Sequence, residues 1–406
     1  MFNEYVKNMK HVNLLTLLTI LAFSAVMFSC KPSAQSQLDS VLSEMWHEDE
    51  PGGVVLVMKN DSVVFCKGYG LRCLSVSEDC TDADNRIDAN TSFNIASCSK
   101  QFTAVAILQL AEQGRLSLDD KVVKFFPEYT DSIWKDIEIR HLLSHSSGIP
   151  DKRGYLTREQ RVNGDELLSV EYLANLHELH FAPGTAYEYI NPTFVMLGMI
   201  VERVSGMPFT EYMRVNVFEP ADMSRTSYFD RDNQSLIPDM AHAYEYGDMT
   251  AMSEEHGAER SASKNWYEYD FGEETFFATR PDGGIYTSVN ELVKWERALR
   301  HSLKNEDGTI VDSVFLKSAM QPQNVITGSV WSDYQNREDT WYGYGWFIEP
   351  GKHVIYHTGD NGGFKAYIGR YPARDACVVI LANRTDWDRY ELKTQIETIF
   401  DLIGSN

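Results

Sequence analysis

The sequence predicts an α+β fold in which one antiparallel sheet, built from both ends of the chain, is flanked by helices. Two β-rich runs lie near the beginning, within Gly52–Gly70, and four more lie near the end, between residues 341 and 384. The long segment between these two groups has a mostly helical hydrophobic pattern. Strands at both ends with helices between them indicate one sheet that is interrupted by a large, mostly helical insertion.

The 406 residues, 43% of them hydrophobic, can bury a large core, and the length by itself allows two or three domains or one large domain with an insertion. Because strands at both ends point to one sheet, we expect one large domain behind a short N-terminal segment. No long linker divides the chain. The expected parts are a lipoprotein-type signal peptide at 1–29, a tether at 30–37, and a domain at 38–406, whose α/β part is about 38–115 and 285–406 and whose helical insertion is about 116–284.

The first elements are a hairpin and a buried helix. The two β-rich runs of Gly52–Gly70 are separated by the polar segment 59–61, which is typical of a turn. After them, Thr91–Gln113 leads into a helix, and Gly114 ends it, as glycine often does after the last helical turn. Residues 104–111 are almost entirely apolar, so we expect this helix to be enclosed on all sides.

The later elements are a loop-like segment, four strands and a final helix. Tyr244–Glu274 holds nine acidic residues and no clear periodicity, which predicts an elaborated surface loop that covers a site. The chain then returns to strands in the runs WYGYGWFI, HVIYHTG, FKAYIGRYP and ACVVILANR. The apolar stripe of the final helix consists of Leu392, Ile396, Ile399, Phe400 and Ile403.

The composition excludes several functions. The formal charge is −22 and no basic stripe is visible, whereas a nucleic-acid binder neutralises phosphates with clustered Lys and Arg. Four histidines suggest a metal site, but they lack the H-E-x-x-H spacing and no cysteine pair completes a site; they are His141, His145, His177 and His180. We therefore expect no nucleic acid, no metal and no cofactor.

The N-terminus predicts export. Lys7 and Lys10 precede a long apolar stretch that ends at Ser29-Cys30 and then turns polar. A small residue before cysteine is similar to a bacterial lipoprotein cleavage box, so we expect Cys30 to be lipidated and to attach the protein to the membrane. One alternative is an uncleaved membrane anchor, because the stretch is near the lower length limit for spanning a bilayer. The other alternative is plain secretion. Each version places the domain outside the cytoplasm, facing the periplasm or the cell exterior.

The remaining five cysteines lack metal-ligand spacing; they are Cys66, Cys73, Cys80, Cys98 and Cys377. Cys73 and Cys80 flank a short polar loop and could pair in an oxidising compartment. Unpaired buried thiols are the alternative, and the sequence leaves both open.

The stretch IASCSKQFTAVAILQL, Ile95 to Leu110, places reactive groups at the start of the apolar helix. Residues three apart lie on one face of a helix, so Ser97 and Lys100 meet in its first turn. A serine hydroxyl becomes a good nucleophile when a base takes its proton, and a lysine can be that base when burial and a helix N-terminus lower its pKa. The free backbone N–H groups at a helix start are ready to stabilise an oxyanion.

Two further short patterns lie later in the chain. Tyr189-Ile-Asn191 follows a loop rich in Gly and Pro, so that a phenol and a carboxamide can face one cleft. His357-Thr358-Gly359 ends a strand at a glycine turn. Taken alone, the first is also an ordinary turn with a capping asparagine, and the second is also an ordinary hairpin.

Second copies of two of these patterns show that short patterns of this kind also occur by chance. S-x-x-K recurs at Ser261–Lys264 and Y-x-N recurs at Tyr334–Asn336. No apolar helix follows the second S-x-x-K, so we interpret it as a chance match.

The order S-x-x-K, Y-x-N, [KH]-T-G resembles the serine β-lactamase and penicillin-binding protein superfamily. Within it, the chain looks most like the class C β-lactamase and DD-peptidase-like group. The stretches that carry the likeness are FNIASCSKQFTAVAILQLAEQGRLSLDD, IRHLLSHSSGIPD, PGTAYEYINPTFVMLGMIVERVSG, DGGIYTSVNELVKWERAL and YGYGWF. The resemblance runs from about Leu38 to Ile403 and implies the β-lactamase/DD-peptidase-like form of the α+β fold.

The resemblance also implies roles for the matching residues. Ser97 would be the acylated nucleophile and Lys100 would accept its proton. Tyr189 would share general acid and base duty with Lys100, and Asn191 would hold the amide on the acyl side of the substrate. The backbone N–H groups of Ser97 and Asp360 would form the oxyanion hole.

The third pattern departs from the family in two ways. In the family, His357, Thr358 and Gly359 would line the wall that contacts a substrate carboxylate or leaving group. His357 stands where lysine is typical of efficient β-lactamases, which removes a permanent positive charge from that wall. Asp360 stands where a small residue is common, and its negative charge disfavours anionic substrates.

We therefore expect an exported serine hydrolase that works through an acyl-enzyme on Ser97. It would cleave an amide or ester, such as a D-amino-acid or peptidoglycan-type peptide or a small ester. The alternatives are a β-lactamase and a catalytically silent penicillin-binding or sensor protein that keeps the fold. The expected partner is a small-molecule or peptide substrate, and the sequence identifies no protein partner.

Overall fold

The computed structural model describes residues 32–74, 85–151, 166–229, 237–247, 261–263, 265–269, 279–306, 310–325 and 340–402. The strands in these ranges are β1 (Gly53–Lys59), β2 (Ser62–Tyr69), β3 (Phe93–Asn94), β4 (Ser227–Tyr228), β5 (Tyr244–Tyr246), β6 (Ser261–Ser263), β7 (Trp266–Glu268), β8 (Ile285–Thr287), β9 (Asn324–Val325), β10 (Trp341–Tyr342), β11 (Phe347–Glu349), β12 (Val354–Asn361), β13 (Phe364–Tyr371) and β14 (Ala376–Ala382). The α-helices are α1 (Ala34–Met45), α2 (Lys100–Glu112), α3 (Ile139–Leu143), α4 (Glu166–Ala174), α5 (Asn191–Ser205), α6 (Phe209–Met213), α7 (Arg280–Gly283), α8 (Val289–Lys304), α9 (Ser313–Ala319) and α10 (Arg389–Ile399).

Eight of these strands form one antiparallel sheet in the order β2-β1-β14-β13-β12-β11-β10-β9, which confirms the predicted α+β fold. β1 pairs along its full length with β14, so the two ends of the chain meet inside the sheet. The predicted hairpin β1–β2 turns at Asn60 and Asp61, which both have positive φ. Asn and Asp tolerate this conformation better than other residues with a Cβ atom.

The sheet separates two hydrophobic clusters. One face packs against α1 and α10, where Leu38 and Ile396 meet Val57 and Tyr367 of the sheet. The other face packs against α8 and against the 3₁₀ turn that precedes α2. α2 is buried from its first residue, Lys100, onward, which confirms the expectation of an enclosed helix.

Local signals begin and end the main helices. The Ser288 side chain accepts a hydrogen bond from Glu291 N at the start of α8, and Asp388 does the same for the first turn of α10. Gly114 and Gly206 follow α2 and α5 with positive φ, so the predicted end of α2 is confirmed.

The expectation of a surface loop over Tyr244–Glu274 is wrong for its described part. β5, β7 and β6 form a three-stranded antiparallel sheet, and Tyr244 and Tyr267 are fully buried. Each of these strands has only three residues, which is too short for an alternating pattern to be recognised in the sequence.

The structure decides part of the cysteine chemistry. Cys73 is disulfide-bonded, and its partner lies outside the described residues. Cys66, Cys98 and Cys377 are free, and burial raises the pKa of each of these thiols. The alternative of an unpaired thiol is therefore wrong for Cys73 and right for the other three.

The predicted signal peptide, the tether up to residue 31 and Cys30 lie outside the described residues. Among the helices that the structure does describe, none has the length and apolarity needed to cross a membrane.

Candidate active site

The candidate nucleophile lies on a tight turn directly before α2. Ser97 belongs to the 3₁₀ turn Ala96–Ser99, and Lys100 is the first residue of α2. Ala96 has a φ of 46°, a left-handed conformation that is uncommon for a residue with a Cβ atom. Ser97 is partly exposed, whereas Lys100 is fully buried. The turn therefore leaves the Ser97 residue partly accessible and places the Lys100 amine in the interior beside it.

Ser97 and Lys100 meet as their spacing predicts, but through a 3₁₀ turn instead of an α-helical one. Lys100 Nζ donates a hydrogen bond to Ser97 Oγ at 3.0 Å. Residues three apart are eclipsed in a 3₁₀ helix, which brings these two side chains together. The structure thus contains the predicted pair and corrects its local geometry.

Lys100 Nζ has two further acceptors from distant parts of the chain. It donates to Asn191 Oδ1 and to the backbone oxygen of Asp282, both at 2.7 Å. Asn191 begins α5, and Asp282 lies in α7. The Thr103 hydroxyl donates to Pro281 O at 2.7 Å and so ties α7 to α2. The three acceptors are uncharged, and together they hold the amine beside the serine.

Tyr189 lies against the same amine. The centroid of its ring is 5.0 Å from Lys100 Nζ, and its side chain is buried. Asn191 follows two residues later as the first residue of α5, so both residues of the Y-x-N pattern face Lys100. The structure brings Ser97, Lys100, Tyr189 and Asn191 into one cluster, and their catalytic roles stay predictions.

Sequence reasoning missed one member of this cluster, His145. Its ring centroid is 4.3 Å from that of Tyr189, and its Nδ1 accepts a hydrogen bond from Ile190 N at 3.1 Å. Burial, followed by the charge of Lys100, holds the pKa of His145 well below its ordinary value, so the ring is neutral. The His145 ring packs against the Tyr189 ring and so supports its position. Its signal was present in HLLSHSSG, but a histidine in such a stretch is also typical of a helix end.

The same HSSG stretch holds the loop that leads to Tyr189. Gly148 O accepts a hydrogen bond from His180 N, and Ser146 O accepts one from Gly184 N, both at 2.8 Å. Gly148 has a φ of 76°, and a Cβ atom there would lie 2.1 Å from the backbone oxygen of Phe181. The close contact between these two loops therefore requires glycine at this position.

His357 lies on β12, and its side chain is buried. Because a carbonyl only accepts, His357 Nδ1–H donates to Thr358 O at 2.7 Å, and Nε2 accepts from the Tyr342 hydroxyl at 3.0 Å. Burial, followed by the charge of Lys100, lowers the pKa of His357 to about 3. His357 is therefore neutral at physiological pH. The Thr358 side chain is buried too.

Gly359 allows β12 to approach the nucleophile turn. A Cβ atom at Gly359 would lie 2.2 Å from the backbone oxygen of Ile95. β12 and the turn that carries Ser97 are consequently in direct contact. An oxyanion hole made of the N–H groups of Ser97 and Asp360 requires this closeness, because both donors must reach one oxygen atom.

The other histidines do not form a metal site in the described ranges. His177 pairs with Asp131 at 2.8 Å, and His180 pairs with Glu188 at 2.7 Å. No group of three or more His, Cys, Asp or Glu side chains in the part of the chain that the structure describes could hold a metal ion.

The second copies of the short patterns lie partly or wholly outside the described residues. Ser261–Ser263 forms β6, and Lys264 lies outside the described residues. Tyr334–Asn336 lies outside them as well.

The fold and the cluster define a class of protein: an α+β protein with a serine and lysine pair at the mouth of an enclosed helix. The sequence model of the family described as Beta-lactamase matches residues 38–398. The chain belongs to this family, and thus to the serine β-lactamase and penicillin-binding protein superfamily. This is a superfamily of serine hydrolases that also contains catalytically inactive members.

Curated relatives include Protein flp and a penicillin-binding protein. Protein flp from Staphylococcus aureus (strain MRSA252) is 27% identical over 358 residues, which are 86% of this chain and 63% of flp. The chain thus spans less than two thirds of the length of flp. Penicillin-binding protein 4* from Bacillus subtilis (strain 168) is 25% identical over 376 residues, or 89% of this chain and 74% of that protein.

Solved structures of similar fold include a penicillin-binding protein homologue and a penicillin-binding protein. The octameric penicillin-binding protein homologue from Pyrococcus abyssi superposes with a TM-score of 0.72 and 26% identity, and the match covers 91% of this chain and 77% of that one. The penicillin-binding protein from Bacillus halodurans superposes with a TM-score of 0.67 and 25% identity, covering 89% and 98%. These similarities confirm the predicted β-lactamase/DD-peptidase-like fold.

Proposed function

We propose that this protein is a serine hydrolase that forms an acyl-enzyme on Ser97. Its substrate is an amide or ester, such as a D-amino-acid or peptidoglycan-type peptide or a small ester. The observation that carries the proposal is the 3.0 Å contact between the partly exposed Ser97 hydroxyl and the buried Lys100 amine. Family membership supports it, because the superfamily consists largely of serine hydrolases.

In the proposed reaction, Ser97 Oγ attacks the substrate carbonyl and its proton passes to a deprotonated Lys100. The proton then moves to the leaving amine or alcohol, and Tyr189, whose ring lies against the Lys100 amine, shares this transfer. In the second step a water molecule attacks the acyl carbon, the bond from that carbon to Ser97 Oγ breaks, and the proton of the water passes through Lys100 or Tyr189 to Ser97 Oγ. Asn191 has two functions, since it orients Lys100 and its amide nitrogen can donate to the acyl-side amide of a substrate.

We further propose that the leaving group of the substrate carries no carboxylate. Because His357 is neutral, with a pKa of about 3, it supplies no cation at the wall where a lysine would attract a carboxylate. Within the proposed class, this favours small esters and D-aminoacyl amides over β-lactams and over peptides with a free C-terminal carboxylate.

The nucleophile is tested by intact-mass analysis after incubation with a fluorophosphonate, which leaves a phosphonyl group on the attacking oxygen as fluoride departs. We expect one adduct per chain in the wild type and none in Ser97→Ala, since the variant lacks the attacking oxygen. Ser43→Ala, at an exposed serine of α1, is the control and keeps the adduct. An adduct that persists in Ser97→Ala would contradict the assignment of the nucleophile.

The substrate class is tested with p-nitrophenyl acetate, D-aminoacyl amides, D-Ala-D-Ala peptides and nitrocefin. We expect the first two to be hydrolysed fastest. Nitrocefin as the best substrate would make the protein a β-lactamase. A stoichiometric penicillin adduct without turnover on any substrate would make it a catalytically silent penicillin-binding protein.

We also propose that the protein is exported and anchored through a lipidated Cys30. The basic and apolar N-terminus supports export, and a disulfide at Cys73 is typical of an oxidising compartment. Metabolic labelling with a palmitate analogue in a bacterial host tests this proposal. We expect the wild type to be labelled in the membrane fraction and Cys30→Ala to be unlabelled; a labelled Cys30→Ala would refute lipidation at this site.

A further inference from the structure

Arg389, the first residue of α10, contacts the end of β12 at Gly359 and Asp360. Its side chain is only 8% exposed, although it carries a permanent charge. Nη1 donates hydrogen bonds to the backbone oxygens of Gly359 at 3.0 Å and Ala366 at 3.2 Å, and Nη2 donates to Asp360 Oδ1. Arg389 thus differs from an exposed ion pair, because strand carbonyls also hold its guanidinium.

The contact with Gly359 O determines the direction of the next N–H group. A peptide group is planar and trans, so the C=O of Gly359 and the N–H of Asp360 point in opposite directions. Ala366 is the partner of Gly359 on β13, and Arg389 Nη1 reaches both backbone oxygens, so the Gly359 carbonyl points toward β13. The N–H of Asp360 consequently points to the opposite edge of β12, where pairing with β11 stops at Tyr356.

Arg389 also changes the electrostatics of this peptide group. A cation at the Gly359 oxygen polarises the group and strengthens the Asp360 N–H as a hydrogen-bond donor. The Asp360 carboxylate by itself would oppose a negative charge that develops nearby, but it is paired with the guanidinium. α10 therefore compensates for the acidic residue that stands where the family commonly has a small one.

We propose that Arg389 is a positioning residue of the oxyanion hole; this inference rests on the proposed function. During acylation a bond forms between Ser97 Oγ and the substrate carbonyl carbon, and an electron pair of the C=O bond moves onto its oxygen. The N–H groups of Ser97 and Asp360 hold that charge. Arg389 touches neither the substrate nor the reacting atoms, and it acts through the Gly359–Asp360 peptide.

The kinetic test uses Arg389→Met, which removes the charge and the hydrogen bonds and keeps most of the side-chain length. We expect the rate of Ser97 phosphonylation by the fluorophosphonate and kcat for p-nitrophenyl acetate to fall about 10- to 100-fold. KM for p-nitrophenyl acetate should change less than about twofold, because only transition-state stabilisation is lost. The double variant Arg389→Met/Asp360→Asn should recover part of this loss, since it leaves no unpaired carboxylate beside the oxyanion.

A matched control is Arg300→Met. Arg300 is mostly buried and forms an ion pair with Asp375, at the opposite end of β13 from the candidate site. We expect this variant to lower the melting temperature as much as Arg389→Met does and to keep the wild-type acylation rate.

A second measurement follows the backbone ¹⁵N–¹H resonance of Asp360 in selectively labelled protein and does not require turnover. We expect it to move in Arg389→Met and to stay in place in Arg300→Met. If the wild type forms no Ser97 adduct while the resonance moves as expected, the proposed function fails and the positioning of this amide is supported. Acylation by Arg389→Met at the wild-type rate, or a slower rate with an unmoved Asp360 resonance, would overturn the inference.

Discussion

Three side chains that can carry a positive charge lie around the buried Tyr189 ring. Lys100, His145 and His357 all surround Tyr189, and the charge of Lys100 lowers the pKa of both histidines in addition to the effect of burial. Both imidazoles are therefore neutral and serve as aromatic supports with directed hydrogen bonds. At the scale of single residues, the Lys100 amine lies among uncharged rings, which suits the proton transfer proposed for it.

This arrangement predicts a loss of stability in acid. The pKa of His357 is about 3 in the folded protein, whereas an ordinary histidine, as in the unfolded chain, has a pKa of 6.5. Between these two pH values only the unfolded chain binds a proton at His357. The contribution of such a neutral histidine to the free energy of unfolding is fully present above pH 6.5. It falls by about 1.4 kcal/mol per pH unit as the pH decreases toward 3. Urea unfolding at pH 7.5, 6.0 and 5.0 measures this slope.

Variants isolate the contribution of His357 from that of other titrating groups. His357→Gln should have a shallower slope below pH 6.5 than the wild type, whereas His47→Gln, at an exposed histidine, should keep it. A His357→Gln slope equal to that of the wild type would show that this histidine is protonated in the folded protein.

At the scale of elements, the candidate site depends on how closely β12 packs against the turn that carries Ser97. Gly359 permits this contact, since a Cβ atom there would lie 2.2 Å from Ile95 O. On the other side, α7 approaches α5 at Gly198, where a Cβ atom would lie 2.2 Å from Pro281 Cγ. Both contacts place backbone groups next to reactive side chains, and a larger residue at either position must displace one element.

Gly359→Ala should therefore separate β12 from the nucleophile turn. We expect a loss of about 1–3 kcal/mol in the free energy of unfolding, which is typical of overpacking, and a loss of at least about tenfold in acylation rate. Denaturant unfolding and the phosphonate-labelling rate measure the two effects. Gly351→Ala is the control, because no atom lies within 4 Å of its added Cβ position, and it should change neither quantity. Normal acylation by Gly359→Ala would show that the strand can retreat without affecting the site.

At the scale of the whole molecule, the sheet joins both ends of the chain. β1 pairs with β14, and the face of the sheet opposite the candidate site is covered by α1 and α10. The buried pair Lys393–Glu397 on α10 receives a hydrogen bond from the Tyr371 hydroxyl of β13, which fixes this helix to the sheet. α10 also begins with Arg389, which donates a hydrogen bond to Gly359 of β12. The same helix therefore packs against the sheet and contacts the strand that would supply part of the oxyanion hole.

Ile396→Ala should lower the free energy of unfolding by about 2–5 kcal/mol, because Ile396 is fully buried between α10 and the sheet. Thr394→Ala lies on the exposed face of the same helix and should change it by less than about 0.5 kcal/mol. Chemical denaturation with far-UV circular dichroism measures both. Equal effects of the two substitutions would indicate that α10 contributes little to the packed core.

Much of the fold could be predicted because its signals are local or strongly periodic. The β1–β2 hairpin, the enclosed α2 and the strands β12, β13 and β14 follow from hydrophobic patterns and turn residues. The predicted run WYGYGWFI instead contains two short strands, β10 and β11, which pair with each other. The three-residue strands β5, β6 and β7 could not be predicted, because a period of two cannot be recognised over three positions and their stability comes from pairing with distant segments.

The sequence by itself determined the Ser97 and Lys100 pair, the order of the three short patterns and the family, because each depends on residue types at short, fixed spacings. Only the tertiary structure decided which atoms surround them. Besides Ser97, the acceptors described for Lys100 lie 91 and 182 residues away, and one of these two is a backbone oxygen, which any residue supplies. The neutral state of His357 and the contact of Arg389 with Gly359 likewise depend on burial and on elements brought together by folding, for which no pattern of side chains is specific.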